Sequence, residues 1–114
     1  MLVDDEQDIT FALSVGLEDN GFAVDAFNDP LVALQSFKEE KEKEKQRYSL
    51  ALVDIKMPKM NGFELYNELR KIDDKVKVCF ITAFDIQRED VECLIRKPIL
   101  IDDLVKRVRT KIQN

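Results

Sequence analysis

The 114-residue chain contains no histidine. That removes the commonest general base and most zinc sites, and leaves carboxylates and lysines for any chemistry. No apolar run approaches the roughly 18 residues of a membrane-spanning helix. No signal peptide is expected, because acids stand at positions 4 to 6. Cysteine is scarce. Cys79 and Cys93 are the only two, both in apolar, strand-like runs. Buried reduced thiols are expected there, in preference to a disulfide or a metal site. An excess of positive charge is also lacking. The formal charge of −5 argues against nonspecific binding to nucleic acid or to an anionic membrane. There is no internal repeat and no low-complexity linker, so residues 1–114 are expected to form a single domain.

What is present starts from residues 49–62, Ser-Leu-Ala-Leu-Val-Asp-Ile-Lys-Met-Pro-Lys-Met-Asn-Gly. Four small or apolar residues run without a break into Asp54, and the chain then turns through Met57-Pro58 and Asn61-Gly62. An uninterrupted apolar run is what a strand buried on both faces requires. In open α/β sheets, ligands bind at the carboxyl edge, where Asp54 would sit.

The rest of the chain reads as strands alternating with helices. Met1-Leu2-Val3 is a short buried strand. Ile9, Ala12, Leu13, Gly16 and Leu17 predict a helix over about residues 6–20, closed by Gly21. Residues 22–27 read as a second strand. Asn28-Asp29-Pro30 starts a second helix, which runs into a lysine–glutamate tract at 38–47 read as a solvated helix end. Residues 50–53 form the third strand, and Phe63, Leu65, Tyr66 and Leu69 line a third helix ending near Lys71. Residues 76–81 form the fourth strand, closing on Thr82. Residues 93–95 form the fifth and deliver Lys97-Pro98. Leu104, Val105, Val108 and Ile112 line a last amphipathic helix. Five strands alternating with helices predict an α/β, doubly wound parallel sheet with helices on both faces.

One crossover is too short for comfort. A crossover with its helix needs at least about 10–12 residues. Only residues 83–92 separate the fourth and fifth strands. Either the fourth helix, over about 86–92, is short or incomplete, or residues are absent between about Gln87 and Leu94.

The strand ends carry Asp4-Asp5, Asp54, Thr82 and Lys97. Singly, each has a bland explanation: the acids as a helix cap and first-turn pair, Thr82 as a strand-end cap, Lys97 as a surface charge. Jointly, at converging strand ends, they read as a site. Three carboxylates close together need a cation, and oxygen ligands select a hard one, Mg2+ where a phosphoryl group completes the shell. Lys97 can neutralise phosphoryl oxygens and Thr82 can donate to one. Asp54 would be the nucleophile, forming an acyl phosphate.

Val-Asp-Asp-Glu, Leu-Val-Asp-Ile-Lys-Met-Pro-Lys-Met-Asn-Gly, Ile-Thr-Ala and Lys-Pro, in this order, resemble the receiver domain of two-component response regulators. The resemblance covers essentially the whole chain. It implies a flavodoxin-like strand order 2-1-3-4-5. It also implies Asp54 as phosphoacceptor, Asp5 as a direct Mg2+ ligand, and Asp4 as an acid acting through water. The Lys56 carbonyl would be the third protein ligand. Thr82 and Lys97 would act on the phosphoryl group, with Lys97-Pro98 a cis bond. The implied donor is a phosphohistidine on a sensor histidine kinase or phosphotransfer protein, and the output is a switched surface for an unspecified downstream protein. Such a chain is cytoplasmic, contacts neither nucleic acid nor membrane directly, is a monomer or weak homodimer, and catalyses only its own phosphorylation and dephosphorylation.

The sequence also departs from that pattern. Leu94 stands where the family has an aromatic residue, which puts the usual aromatic switch in doubt. Phe84 could cover the site instead, and Lys56 and Phe84 occupy the positions that tune phosphoryl lifetime. A shortened fourth helix would disfavour the dimer many relatives form. Two alternatives stay open: a phosphorylation-independent interaction module that keeps the fold, and an aspartate-nucleophile phosphatase. The latter places a second acid two residues after the nucleophile, where this chain has Lys56.

Overall fold

Residues 50–54 are apolar up to the final acid because both faces of their strand are covered. In the computed structural model, which describes residues 1–43, 48–84, 86, 88 and 91–113, β3 (Ala51–Asp54) is buried at every position. Ala51 and Val53 enter one core, and Leu50 and Leu52 enter the other. β4 (Val78–Thr82) repeats the alternation, with Val78 and Phe80 on the first face and Cys79 and Ile81 on the second. Period-two alternation between two apolar layers is the signature of a central strand.

Around these lie β1 (Leu2–Val3), β2 (Ala26–Phe27) and β5 (Leu94–Arg96). All neighbours pair in parallel, in the order β2-β1-β3-β4-β5. The helices are α1 (Gln7–Asp19), α2 (Pro30–Glu42), α3 (Gly62–Ile72) and α4 (Ile101–Gln113). Ala33, Leu34 and Phe37 of α2 and Leu65 and Leu69 of α3 fill the first core. Leu13 and Leu17 of α1 and Leu104, Val105 and Val108 of α4 fill the second. The fold class and strand order are those expected.

Helix ends follow local chemistry. Asp29 caps α2 by accepting from the Leu31 amide at 2.9 Å, with Pro30 in the first turn. Asn61 and Glu64 form a reciprocal capping box at the start of α3. Gly21, with φ +91°, supplies the left-handed residue that ends α1. The part of the lysine–glutamate tract at 44–47 lies outside the described residues.

Two expectations shift. The second strand is two residues long rather than six. β2 is an edge strand, and β1 offers it only two partners. Phe22 and Val24 instead pack against the α1/α4 core. The crossover from β4 to β5 goes further than a shortened helix. Its described residues, Ala83, Phe84, Ile86, Arg88 and 91–93, lie in no helix. The expectation of absent residues between about Gln87 and Leu94 falls partly outside the described residues, which leave out Asp85, Gln87, Glu89 and Asp90. Ile86 and Val91 pack on the first core, and the Arg88 guanidinium stacks 4.1 Å over the Phe63 ring.

The expectation of reduced thiols is corrected. Cys79 and Cys93 form a disulfide, with Cα atoms 4.7 Å apart. The reason is register. Phe80 pairs with Leu94, so the residue before each faces the other across neighbouring parallel strands.

Gly62 is required by space. A Cβ there would meet the Asp54 carbonyl oxygen and lie 2.9 Å from Ile55 Cα, both backbone atoms that cannot swing aside. Gly62→Ala should therefore lower unfolding free energy by about 1–3 kcal/mol, through overpacking against the strand that carries Asp54. Asn61→Ala should cost about 0.5–2 kcal/mol through loss of the cap. Urea denaturation of each variant measures both.

Candidate functional site

Parallel register brings the strand ends level. Val3 pairs with Val53, so Asp4 and Asp54 leave the sheet side by side. Thr82 pairs with Arg96, which puts Lys97 one residue past the edge. The Lys97 amide continues the ladder by donating to the Thr82 carbonyl at 2.8 Å. The Lys97-Pro98 bond is cis.

Three acids meet here. Asp4, Asp5 and Asp54 each bring one carboxylate oxygen within 4.8 Å of the others. Asp4 and Asp54 are buried, and Asp5 is exposed. The Lys97 ammonium lies 2.9 Å from Asp4 Oδ2 and 3.4 Å from Asp54 Oδ1. The second Asp4 oxygen, Oδ1, accepts from the Glu6 amide at 3.0 Å. The N-cap of α1 is Glu6, without a side-chain cap bond, so neither Asp4 nor Asp5 is the cap that the bland explanation supposed.

The electrostatics follow from this crowding. Burial, then the Asp4 charge, push the Asp54 carboxyl up to about 6, against the opposing pull of Lys97. For Lys97, burial works to lower the ammonium. The hydrogen bond and charge of Asp4, with Asp54, outweigh it and hold the group above its ordinary value. An unbalanced pair of buried acids is chemically a site that favours added positive charge. Carboxylate oxygens clustered this closely fit a hard divalent cation.

The other expected residues surround the acids. Thr82 is buried, and its Oγ1 accepts from the Phe84 amide at 3.0 Å. That leaves the hydroxyl hydrogen as a donor. Lys56 turns its ammonium 4.2 Å above the centroid of the Phe84 ring, and the ring itself is 50% exposed. Leu94, in the family's aromatic position, packs instead against the α2/α3 core.

Two residues with no role in the sequence reading also shape the site. Asn28 Nδ2 donates to the Asp4 carbonyl at 2.8 Å and to Thr10 Oγ1 at 3.0 Å, fixing the end of β1. The sequence places Asn28 only in a helix start, a task that Asp29 takes. Lys59, at φ +71°, shapes the turn after Asp54, and its ammonium lies 2.8 Å from Asp29 Oδ2. A lysine in a turn gives no sequence signal for such a conformation.

A family model described as the response regulator receiver domain matches residues 1–109. The response regulator receiver protein CpdR of Brucella abortus is 31% identical, with 95% of this chain and 91% of that protein covered. A homolog of the transcriptional regulatory protein CpxR from Haemophilus influenzae is 36% identical over 94% of this chain and 42% of that protein. The chain spans about half the length of the first transcriptional regulators it matches. The response regulator protein TrrA of Thermotoga maritima, solved in complex with Mg(2+)-BeF, is 28% identical with a TM-score of 0.82. That match covers 96% of this chain and 95% of that one.

The raised Asp54 carboxyl has a stability consequence. Its folded value lies above the unfolded one, so its unfavourable contribution is absent below about pH 4 and complete above about pH 6. Without divalent cations, Asp54→Asn should be about 1–3 kcal/mol more stable than wild type at pH 7, with the gap closing towards pH 4. Adding Mg2+ should stabilise wild type more than the variant. Urea unfolding in chelator and in Mg2+ reads both arms.

Proposed function

Because the chain belongs to the response regulator receiver family of two-component systems, we propose that Asp54 accepts a phosphoryl group from a phosphohistidine of a sensor histidine kinase or phosphotransfer protein, with Mg2+ as cofactor. The observation that carries the reading is the cluster in which Asp4, Asp5 and Asp54 bring carboxylate oxygens within 4.8 Å of one another, with the Lys97 ammonium beside Asp4 and Asp54.

In this reading Asp54 Oδ attacks phosphorus, the phosphorus–nitrogen bond breaks, and the imidazole leaves to take up a proton. The product is an acyl phosphate on Asp54. Lys97, already between Asp4 and Asp54, neutralises phosphoryl oxygens as they arrive. Thr82 donates its hydroxyl hydrogen to one of them. Asp5, Asp54 and the Lys56 carbonyl would hold Mg2+, with Asp4 acting through water, and the ion would supply charge neutralisation for acids and phosphoryl group alike. These 114 residues contain no histidine, so the donor imidazole lies outside them.

Phe11 and Val15 on α1 and Leu100 just after the cis bond are exposed apolar side chains that a docking donor could cover, Phe11 at 73%. The chain turns over no separate substrate and acts as a switch for an unspecified downstream protein. No direct contact with nucleic acid or membrane is included, in keeping with the charge of −5, and no helix among the described residues is long and apolar enough to cross a membrane. A kinase donor charged by nucleotide places the pair in the cytoplasm. Without a helix in the described crossover, the usual helical dimer face is incomplete, which favours a monomer or weak homodimer.

The test is acetyl phosphate with Mg2+, read by intact mass. Wild type should gain one phosphoryl group and Asp54→Ala none. A wild type that gains nothing would leave a phosphorylation-independent interaction module. A second prediction concerns lifetime. The Lys56–Phe84 contact is of a kind worth about 0.5–1 kcal/mol at exposed sites. If the pair holds water away from the acyl phosphate, the variant combining Lys56→Asn and Phe84→Ala should lose phosphate about two- to fivefold faster. Equal decay of radiolabel in the two proteins would defeat this.

A further inference from the structure

We propose that Cys79 and Cys93 are a dithiol–disulfide switch that sets how firmly the Thr82 and Lys97 end of the site is held. The inference rests on the proposed function only in the choice of ligand for one of its readouts.

The bond joins residues 14 apart and closes a ring around the whole β4–β5 crossover. Thr82 and Phe84 lie inside that ring, and Lys97 follows its far end by four residues. β5 is the last strand of the sheet and pairs with β4 over three residues. No helix occurs among the described residues of the crossover to anchor it. Its noncovalent ties include the Arg88 stack on the Phe63 ring and the packing of Ile86 and Val91 on the first core. Arg107 Nη2 donates to the Leu94 carbonyl at 3.1 Å, and the Phe80 amide donates to the Cys93 carbonyl at 3.0 Å. The disulfide is therefore the covalent cross-link on the segment that bears Thr82 and delivers Lys97, which is otherwise held by noncovalent contacts.

Both cysteines are buried, Cys79 fully and Cys93 at 5% exposure, and Cys93 lines a surface cleft with Lys106, Arg107 and Lys111, Glu92 and Asp103. Arg107 Nη2 lies 3.6 Å from Cys93 Sγ. A guanidinium beside a sulfur stabilises a thiolate when the bond opens. A thiolate of a small dithiol attacks Cys93 Sγ, the disulfide breaks, and Cys79 leaves as a thiolate and takes up a proton. The second thiol of the reagent then displaces Cys93, so one protein disulfide becomes two thiols and the dithiol becomes its own disulfide. In the return direction the Cys93 thiolate attacks a peroxide oxygen, the oxygen–oxygen bond breaks, and hydroxide leaves and takes up a proton to give water, so that Cys93 becomes a sulfenic acid. The Cys79 thiol then displaces a second water and restores the bond. In a compartment with reducing thiol pools, a reachable disulfide cycles rather than persists.

The experiment uses the whole chain in two redox states, after peroxide and after dithiothreitol. N-ethylmaleimide added under denaturing conditions should label two thiols after dithiothreitol and none after peroxide. Amide exchange at Phe84, Ile86, Arg88, Val91 and Cys93 should be about tenfold faster in the reduced protein. Beryllofluoride with Mg2+ should bind about threefold more weakly to the reduced form. A variant combining Cys79→Ser and Cys93→Ser should be indifferent to both reagents. Labelling of both thiols after peroxide, equal exchange in the two states, or equal affinity for beryllofluoride overturns the switch, as does a redox response that survives in the double variant. If neither form binds beryllofluoride, the phosphoacceptor reading fails, and amide exchange alone then decides for or against the switch.

Discussion

The contact on which this molecule depends is the Lys97 ammonium set between two buried carboxylates, 2.9 Å from Asp4 and 3.4 Å from Asp54. Burying two acids side by side is unfavourable, since each ionised group loses water and repels the other. One ammonium offsets part of that and leaves the pocket short of positive charge. The shortfall is visible in the Asp54 carboxyl, which burial and Asp4 hold well above an ordinary carboxylate. Removing Lys97 from such a buried set would leave both carboxylates uncompensated, which is far worse than never having built it. The edge of the sheet is thus organised around a charge deficit that a cation and a phosphoryl group can resolve together.

Everything near that contact serves its geometry. β1 stops after two residues because Asp4 must leave the sheet there, and Asn28 ties its carbonyl in place. β3 is buried on both faces, so Asp54 emerges from the most constrained strand. Gly62 lets α3 return close against the Asp54 backbone. Lys97 comes from the opposite kind of element, a three-residue edge strand reached by a short crossover. One side of the pocket is fixed by the core. The other rests on Ile95 and Leu94 in the two cores, on hydrogen bonds including that from Arg107, and on a disulfide.

That asymmetry explains which parts were legible beforehand. The central strands announce themselves because two apolar layers force an unbroken apolar run. Asp29-Pro30 and Asn61 with Glu64 announce helix starts because their side chains satisfy amides the helix leaves open. The second strand was overread, since Phe22 and Val24 are apolar for packing on α1 and α4 and not for pairing. Lys59 in a left-handed turn and Asn28 on the Asp4 carbonyl carry no local pattern, because their partners lie far along the chain.

The residues alone determined the layered α/β architecture and the identity of the acids, Thr82 and Lys97 at the strand ends. Periodicity and strand-end chemistry are local properties, written within a few residues of each other. Only the tertiary structure decided how those ends meet. It set the distances from Lys97 to the two acids, and it placed Lys56 over Phe84. It also opposed Cys79 and Cys93, because strand register across a crossover of unusual length fixes which residues face one another.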